Sequence, residues 1–141
     1  MSIAAVTTLA FDHLTAELSD HAGGVGDGEA HENAAGVSGY PYHILWNISQ
    51  LVDDDTFLND GGMFSVTLQV TTAAESRILR DLAADVVYGA MMNDPVSSVA
   101  TAGGETLTVF ERSFGTRAPD DLQAGRVFSV AQRFVWTCSV G

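Results

Sequence analysis

The chain has 141 residues, of which 46% are hydrophobic, and it carries 18 acidic side chains, six arginines and no lysine, for a net charge of −12. This length and apolar content fit one globular domain with a real core, and they exclude a chain that is disordered throughout. The missing lysine excludes a P-loop, a Schiff-base lysine and a Ser-Lys dyad, and the acidic balance disfavours a protein that grips nucleic-acid phosphates.

The start of the chain lacks a basic region followed by an apolar run, so we expect no signal peptide. No stretch approaches the roughly 20 apolar residues that span a bilayer. Cys138 is the single cysteine and cannot form an internal disulfide. These features predict a soluble protein made in a reducing compartment. A solvated acidic face fits either a high-GC or a salt-adapted source, and the composition leaves that choice open.

The first predicted element is an amphipathic helix over residues 3–20. Its apolar side chains fall at helical spacing; they are Ile3, Val6, Ala10, Leu14 and Leu18. Residues 21–39 contain six glycines and predict a mobile loop. The stretch Gly23–Gly28 resembles a phosphate loop, but it follows a helix and lacks the GxGxxG spacing, which favours a linker.

Two strands and a second helix are predicted next. Residues 40–52 alternate, with one set of side chains formed by Tyr40, Tyr42, Ile44, Trp46 and Ile48. Residues 63–72 form a half-buried strand, with Phe64, Val66, Leu68 and Val70 on one face. Thr72 and Glu75 have the spacing of a capping box that begins a helix over 73–93. The apolar face of that helix is expected to comprise Ile78, Leu79, Leu82, Val86 and Ala90.

The last predicted elements are strands over 105–114 and 126–140, joined by residues 115–125. Fifteen residues span about 50 Å, so part of the final strand is expected to project to a neighbour or to bend. The fold class is therefore α+β: a single domain over 1–141, in α-β-β-α-β-β order, with two helices on one face of a four-stranded, mainly antiparallel sheet. The expected buried residues are Leu14, Ile44, Trp46, Val66, Leu68, Leu82, Val86, Phe128 and Trp136.

The motifs predict no catalytic residue, no cofactor site and no metal site. His13, His21 and His31 are not spaced like metal ligands, so solvated histidines are the main interpretation and a weak metal site is the alternative. His43 is expected to be a hydrogen-bonded structural histidine. Cys138 lies on an apolar strand face and is expected to be a small buried hydrophobe.

A family resemblance adds to this interpretation. Tyr40-Pro-Tyr-His-Ile-Leu-Trp, the Phe64–Val70 strand, the helix starting near Glu75 and the final Phe128–Trp136 strand together resemble the tail terminator, or tail completion, proteins of long-tailed phages and gene transfer agents. The similarity covers most of residues 3–140. Proteins of that family are small α+β domains that form a hexameric ring on the last tail-tube ring, stop tube growth and join the tail to the head.

The resemblance implies a structural virion protein at the head-proximal end of the tail, assembled in the host cytoplasm, and not an enzyme. The implied partners are further copies of the chain, the tail-tube protein and the head–tail connector protein. DNA would pass through the lumen without specific binding, and no membrane or cofactor is involved. Two alternatives stay open: a connector or neck component of the same virion, and a small ligand-binding protein or enzyme outside it.

The distribution of charge suggests how subunits of a ring would meet. Residues 1–76 hold eleven acids and no basic side chain, whereas all the arginines lie between residues 77 and 133. A head-to-tail contact could pair one half with the other. The alternative is that each arginine pairs within its own chain. The predicted interface residues are Arg112, Arg117, Arg126 and Arg133, facing acids such as Asp53, Asp54, Asp55 or Glu32.

Overall fold

The computed structural model describes residues 3–28, 39–48, 63–96, 99–100, 104, 106–120 and 127–140. Two helices and six strands lie in these ranges. In chain order they are α1 (Ile3–Glu17), β1 (Val25–Asp27), β2 (Tyr42–Asn47), β3 (Met63–Ala74), α2 (Arg77–Met92), β4 (Val99–Ala100), β5 (Thr106–Asp120) and β6 (Phe128–Val140).

The described strands form one mixed sheet in the order β1-β2-β3-β6-β5-β4. β1 runs parallel to β2, and every other neighbouring pair is antiparallel. The α+β class is confirmed, but the predicted four-stranded sheet is too small. β1 and β4 were missed because strands of three and two residues are too short to show an alternating pattern. β1 lies inside the segment predicted to be a loop.

Both helices pack on one face of the sheet, and the core lies between the helices and the sheet. Four of the five residues of the predicted apolar stripe, Val6, Ala10, Leu14 and Leu18, are confirmed as buried. The side chain of Ile3 lies outside the described part of the chain, and α1 ends at Glu17, just before Leu18. Leu9, which falls outside that stripe, is buried as well. The sheet contributes the predicted face of β3 to the same cluster, together with Phe134, Trp136 and Cys138 of β6. Burial of Trp136 is confirmed, whereas Phe128, which was also expected to be buried, is only half-buried.

The predicted face of β2 is wrong. His43 and Leu45 point into the core, whereas Ile44 is half-buried and Trp46 is 37% exposed. Large side chains occupy both faces of this strand, so the alternation alone could not choose between them. With His43 on the core side, its ring forms the hydrogen bonds to neighbouring residues that are described below.

α2 begins later than predicted. Its N-cap is Ser76, whose side-chain oxygen accepts a 3.1 Å hydrogen bond from the backbone N–H of Leu79. Thr72 cannot cap the helix because β3 continues through Ala74, and Thr72 is paired there with Val130 of β6. The capping-box interpretation is therefore wrong. Ser76, four residues later, caps the helix instead.

The buried face of α2 also differs from the prediction. Three of the six buried residues are alanines, and the larger aliphatic side chains Leu82 and Val86 point outward. Small side chains let the helix axis approach the sheet closely, which leaves the second apolar stripe of the same helix uncovered. Of the predicted face only Ala90 is buried; it lies with Arg80, Ala83, Ala84, Val87 and Met91.

β5 and β6 form a long hairpin. β5 continues to Asp120, past the predicted end at Phe114, and its last residue pairs with Ser129. The register shifts twice, around Phe110 and Gly115. β6 is paired with β3 on one side and β5 on the other, so the expected projection of the final strand is wrong. The two bulges interrupt the alternation of side chains along β5, so the sequence pattern did not predict that the strand continues beyond Phe114.

Gly23 lies where the chain crosses closely over the start of β2. A Cβ atom built there would lie 2.2 Å from the carbonyl oxygen of Gly39 and 2.4 Å from the Cβ of Tyr42. We expect Gly23→Ala to lower the free energy of unfolding by about 1–3 kcal/mol, because backbone must move to relieve the overlap. Chemical denaturation followed by circular dichroism measures this.

Gly89 offers a matched control for this prediction. It lies inside α2, and a Cβ atom there meets nothing within 4 Å. Gly89→Ala should stabilise the fold by about 0.5–1 kcal/mol, because alanine loses less backbone entropy than glycine in a helix. Equal effects of the two substitutions would contradict the close crossing at Gly23.

Candidate interaction surface

The outward face of α2 carries a stripe of aliphatic side chains, hereafter the α2 stripe. It consists of Ile78, Leu79, Leu82 and Val86, which are 73%, 53%, 57% and 45% exposed. Helical geometry places these positions on one side of the helix. The sequence correctly grouped these four residues, but it assigned them to the core.

A groove runs beside the α2 stripe, between the helix and the segment that enters β2. It has a volume of about 230 Å³. Its helix wall comprises Leu79, Leu82, Ala83 and Val86, and polar groups stand at its margin. The remaining lining residues are His21, Tyr40, Pro41, Ala74 and Glu75.

His21 belongs to a short hydrogen-bonded chain that leads into the core. The Nδ1 atom of His43 lies 2.9 Å from the hydroxyl oxygen of Thr72, and its Nε2 atom lies 2.8 Å from Nδ1 of His21. Burial, and then the neighbouring His21, lower the pKa of His43 to about 3. His43 is therefore a neutral, fully hydrogen-bonded ring at neutral pH, which confirms its structural assignment.

The other candidate side chains are placed as follows. His13 is not simply solvated, because its Nε2 atom lies 2.7 Å from the carbonyl oxygen of Ala90 and ties α1 to the end of α2. Cys138 is fully buried, and burial raises the pKa of its thiol to about 12, as expected of a small core hydrophobe. His31 lies outside the described residues. Within the described ranges, no three His, Cys, Asp or Glu side chains come together as metal ligands could.

Arg112, Arg117 and Arg133 each bond within the chain. Arg112 donates to the carbonyl oxygen of Met91 at 3.2 Å, at the C-terminal end of α2. Arg117 donates to Gln132 at 2.8 Å and pairs with Asp85 at 2.9 Å.

The third arginine, Arg133, donates to Gln69 at 3.1 Å on the helix-free face of the sheet. Arg126, Glu32, Asp53, Asp54 and Asp55 lie outside the described residues. The assignment of these residues to a subunit interface stays a prediction.

A second exposed apolar patch lies on β5. Phe110 is 50% exposed and Phe114 is 39% exposed. β4 covers only Thr106 and Leu107 of this strand. Among the described strands, none pairs with the outer edge of β5 from residue 108 to 120. The sequence predicted a strand over 105–114 but not that these two rings are exposed on it.

The surface can hold a partner, and its described side chains indicate what kind. Aliphatic and aromatic groups dominate both exposed patches, so contact with another apolar surface is the chemistry they support best.

Neither described helix is both long enough and apolar enough to cross a membrane. No family model and no curated protein matches this chain.

Proposed function

We propose that this chain is a structural subunit of a ring that caps the tail tube of a long-tailed phage or gene transfer agent and joins it to the head-proximal connector. The observation that carries the proposal is the exposed α2 stripe on an otherwise well-packed α+β domain. The resemblance of Tyr40–Trp46 and the later elements to tail terminators supplies the biological setting.

The packing of α2 supports a partner-covered surface. The helix turns alanines toward the sheet and leaves its larger aliphatic side chains in water. These side chains are 45–73% exposed, so each forgoes part of the roughly 1.5–3 kcal/mol that full burial contributes. In a monomer the larger aliphatic side chains stay in water, whereas a subunit buries them when it assembles.

The net charge constrains how such a ring holds together. Six copies at −12 carry about −72, so assembly has to overcome repulsion between subunits. Buried apolar area, which does not depend on charge, and local pairing of opposite charges are the two terms that can do so. The same negative charge would let DNA pass through the lumen without adhering to it.

The first test is the mass of the native particle. We expect the purified chain to form a ring close to six times 14.9 kDa, measured by native mass spectrometry and seen as an annulus by negative-stain microscopy. A particle of 14.9 kDa at micromolar concentration would contradict the ring.

The second test separates the terminator from a connector of the same virion. Deletion of the gene should yield tails of uncontrolled length if the chain stops tube growth. Tails of normal length that lack heads would instead identify a connector or neck component. An antibody to the chain should label the head-proximal end of the tail in the parent particle.

A ligand-binding role is the second candidate, and the groove beside α2 is the observation that favours it. Its apolar helix wall with His21 and Glu75 at the margin could hold a small apolar ligand with one polar end. A bound small molecule that survives purification, detected by mass spectrometry of the denatured protein, would support that role. It would be expected together with a monomer rather than a ring.

A further inference from the structure

We infer that the exposed aromatic segment of β5, Phe110 and Phe114, of a second copy of this chain docks on the groove beside α2, with one of its two rings inside the groove. This contact deepens the ring proposed above and rests on it. In this contact the groove of one subunit meets the β5 aromatic side chains of the next, so the two subunits contribute different surfaces.

The groove has the size and chemistry of a receptor for an aromatic ring. An apolar cavity of about 150 Å³ in another protein is large enough to bind benzene. The groove, at about 230 Å³, therefore has room for a phenyl side chain. Leu79, Leu82 and Val86 would bury their exposed surface against it.

The aromatic patch on β5 contains a ring that is already held in position by its neighbours. The ring of Phe114 already stacks edge-on against Tyr88, with centroids 5.1 Å apart, and lies 5.6 Å from the ring of Phe134. A side chain held in this way loses little rotamer entropy when it binds. Phe110 stands four residues earlier, at the first bulge, on the strand whose outer edge no described strand covers.

The two surfaces lie on opposite flanks of α2. Leu79 and Ala83 form the flank that faces His21 and Pro41 across the groove. Tyr88 lies on the other flank, against β5, where Asp85 also meets Arg117. A subunit that uses one flank to bind its neighbour keeps the other flank free. Such contacts are head-to-tail, and they close into a ring when the rotation between subunits allows.

Charge favours the same pairing. On the helix side of β5, Arg112 and Arg117 flank Phe114, because their cross-strand neighbours Trp136 and Gln132 both point into the core. Glu75 lines the groove, and Asp20 lies beside His21. Both arginines keep their bonds within their own chain. Beside the inserted aromatic ring they would also approach these acids of the neighbouring subunit, which helps fix the orientation of the contact.

Two disabled chains test the contact directly. Leu82→Asp blocks the groove and leaves the aromatic patch intact, whereas the double variant Phe110→Asp, Phe114→Asp removes the patch and leaves the groove intact. Each alone should self-associate about 30-fold more weakly or worse, as expected of a hot spot. Mixed together they should form a 1:1 dimer of about twice 14.9 kDa and nothing larger, because only one competent contact can form per pair.

Matched controls place the same charge nearby without touching the contact. Ile78→Asp alters the α2 stripe outside the groove, and Ser113→Asp alters an exposed position whose partner Val135 lies on the opposite face of the sheet. Both should assemble like the parent. Circular dichroism and thermal melting check that every variant is folded; if the double variant is not, Phe110→Asp alone replaces it in the mixture.

The outcomes separate this inference from the proposed function. A parent ring that persists in both disabled chains would overturn the groove-and-patch contact and leave the ring standing. Loss of the ring in Ile78→Asp as well as Leu82→Asp, with no dimer in the mixture, would indicate a symmetric α2-to-α2 contact and would also overturn it. A parent chain that remains at 14.9 kDa would contradict the ring and the contact together.

Discussion

Replacement of Trp136 by alanine is expected to lower the free energy of unfolding by about 3–5 kcal/mol, the range observed when large aromatic side chains are truncated in a core. Trp136 is fully buried between β6 and α2, and its indole N–H donates a 3.1 Å hydrogen bond to the carbonyl oxygen of Met91. The substitution removes the ring and the hydrogen bond, and leaves a cavity under the helix. Urea denaturation followed by circular dichroism measures the change.

The chain's other tryptophan supplies the matched control. Trp46 lies on the helix-free face of the sheet and is partly exposed. Trp46→Ala should cost only about 1–2 kcal/mol, because less apolar surface leaves the protein interior. Trp136→Phe separates the two contributions of Trp136. It should cost about 1 kcal/mol for the hydrogen bond, because Arg112 also donates to the Met91 carbonyl and keeps that oxygen paired. Equal losses for Trp136→Ala and Trp46→Ala would contradict the described core.

Acid is expected to destabilise the fold through His43, beginning well above the range in which carboxylates titrate. Burial lowers the pKa of this ring from 6.5 to about 3 in the folded state. Between those values the unfolded chain binds a proton that the folded chain does not. Stability is therefore fully present above pH 6.5 and falls as the pH decreases toward 3. The limiting slope for one proton is about 1.4 kcal/mol per pH unit.

The measurement compares the slopes of two chains between pH 6.5 and 5, where most carboxylates are still ionised. His43→Gln should lose part of its stability at every pH, because the hydrogen bonds to Thr72 and His21 change. Its stability should also depend on pH less steeply than the parent's, by roughly one proton. Nuclear magnetic resonance gives an independent readout: the His43 ring signals should keep their neutral positions down to pH 5. A normal titration of this ring near pH 6.5 would contradict its buried, neutral state.

Sequence patterns predicted those parts of the fold in which one face alone is apolar. Most buried residues of α1 and β3, and Trp136 in β6, were identified correctly because polar side chains occupy most of the opposite positions and fix the orientation. Phe128 of β6 was expected to be buried and is only half-buried. The burial of Cys138 and the structural role of His43 were also predicted correctly, from the apolar side chains that flank each residue on its strand. Composition also excluded the lysine-dependent chemistries, since the required side chain is missing from the whole chain.

Tertiary structure decided the elements that have two possible faces. In β2, either His43 and Leu45 or Ile44 and Trp46 could have met the core, and pairing with β3 selected the first set. In α2, a stripe of small side chains competed with a stripe of large ones. The small stripe packs on the sheet because it permits a closer approach, and this leaves Leu82 and its neighbours exposed.

The candidate interaction surface follows from that choice, and no local pattern could reveal it. The sequence by itself determined an acidic α+β domain with amphipathic helices, because periodicity and composition act along the chain. Only the packing of distant segments placed Tyr40 and Pro41 opposite Leu79 to form a groove. Among the described residues, the same packing left the outer side of β5 unpaired beyond Leu107 and left Phe110 and Phe114 partly exposed. Burial is a property of pairs of surfaces, so which apolar residues remain available to a partner was settled by the tertiary fold.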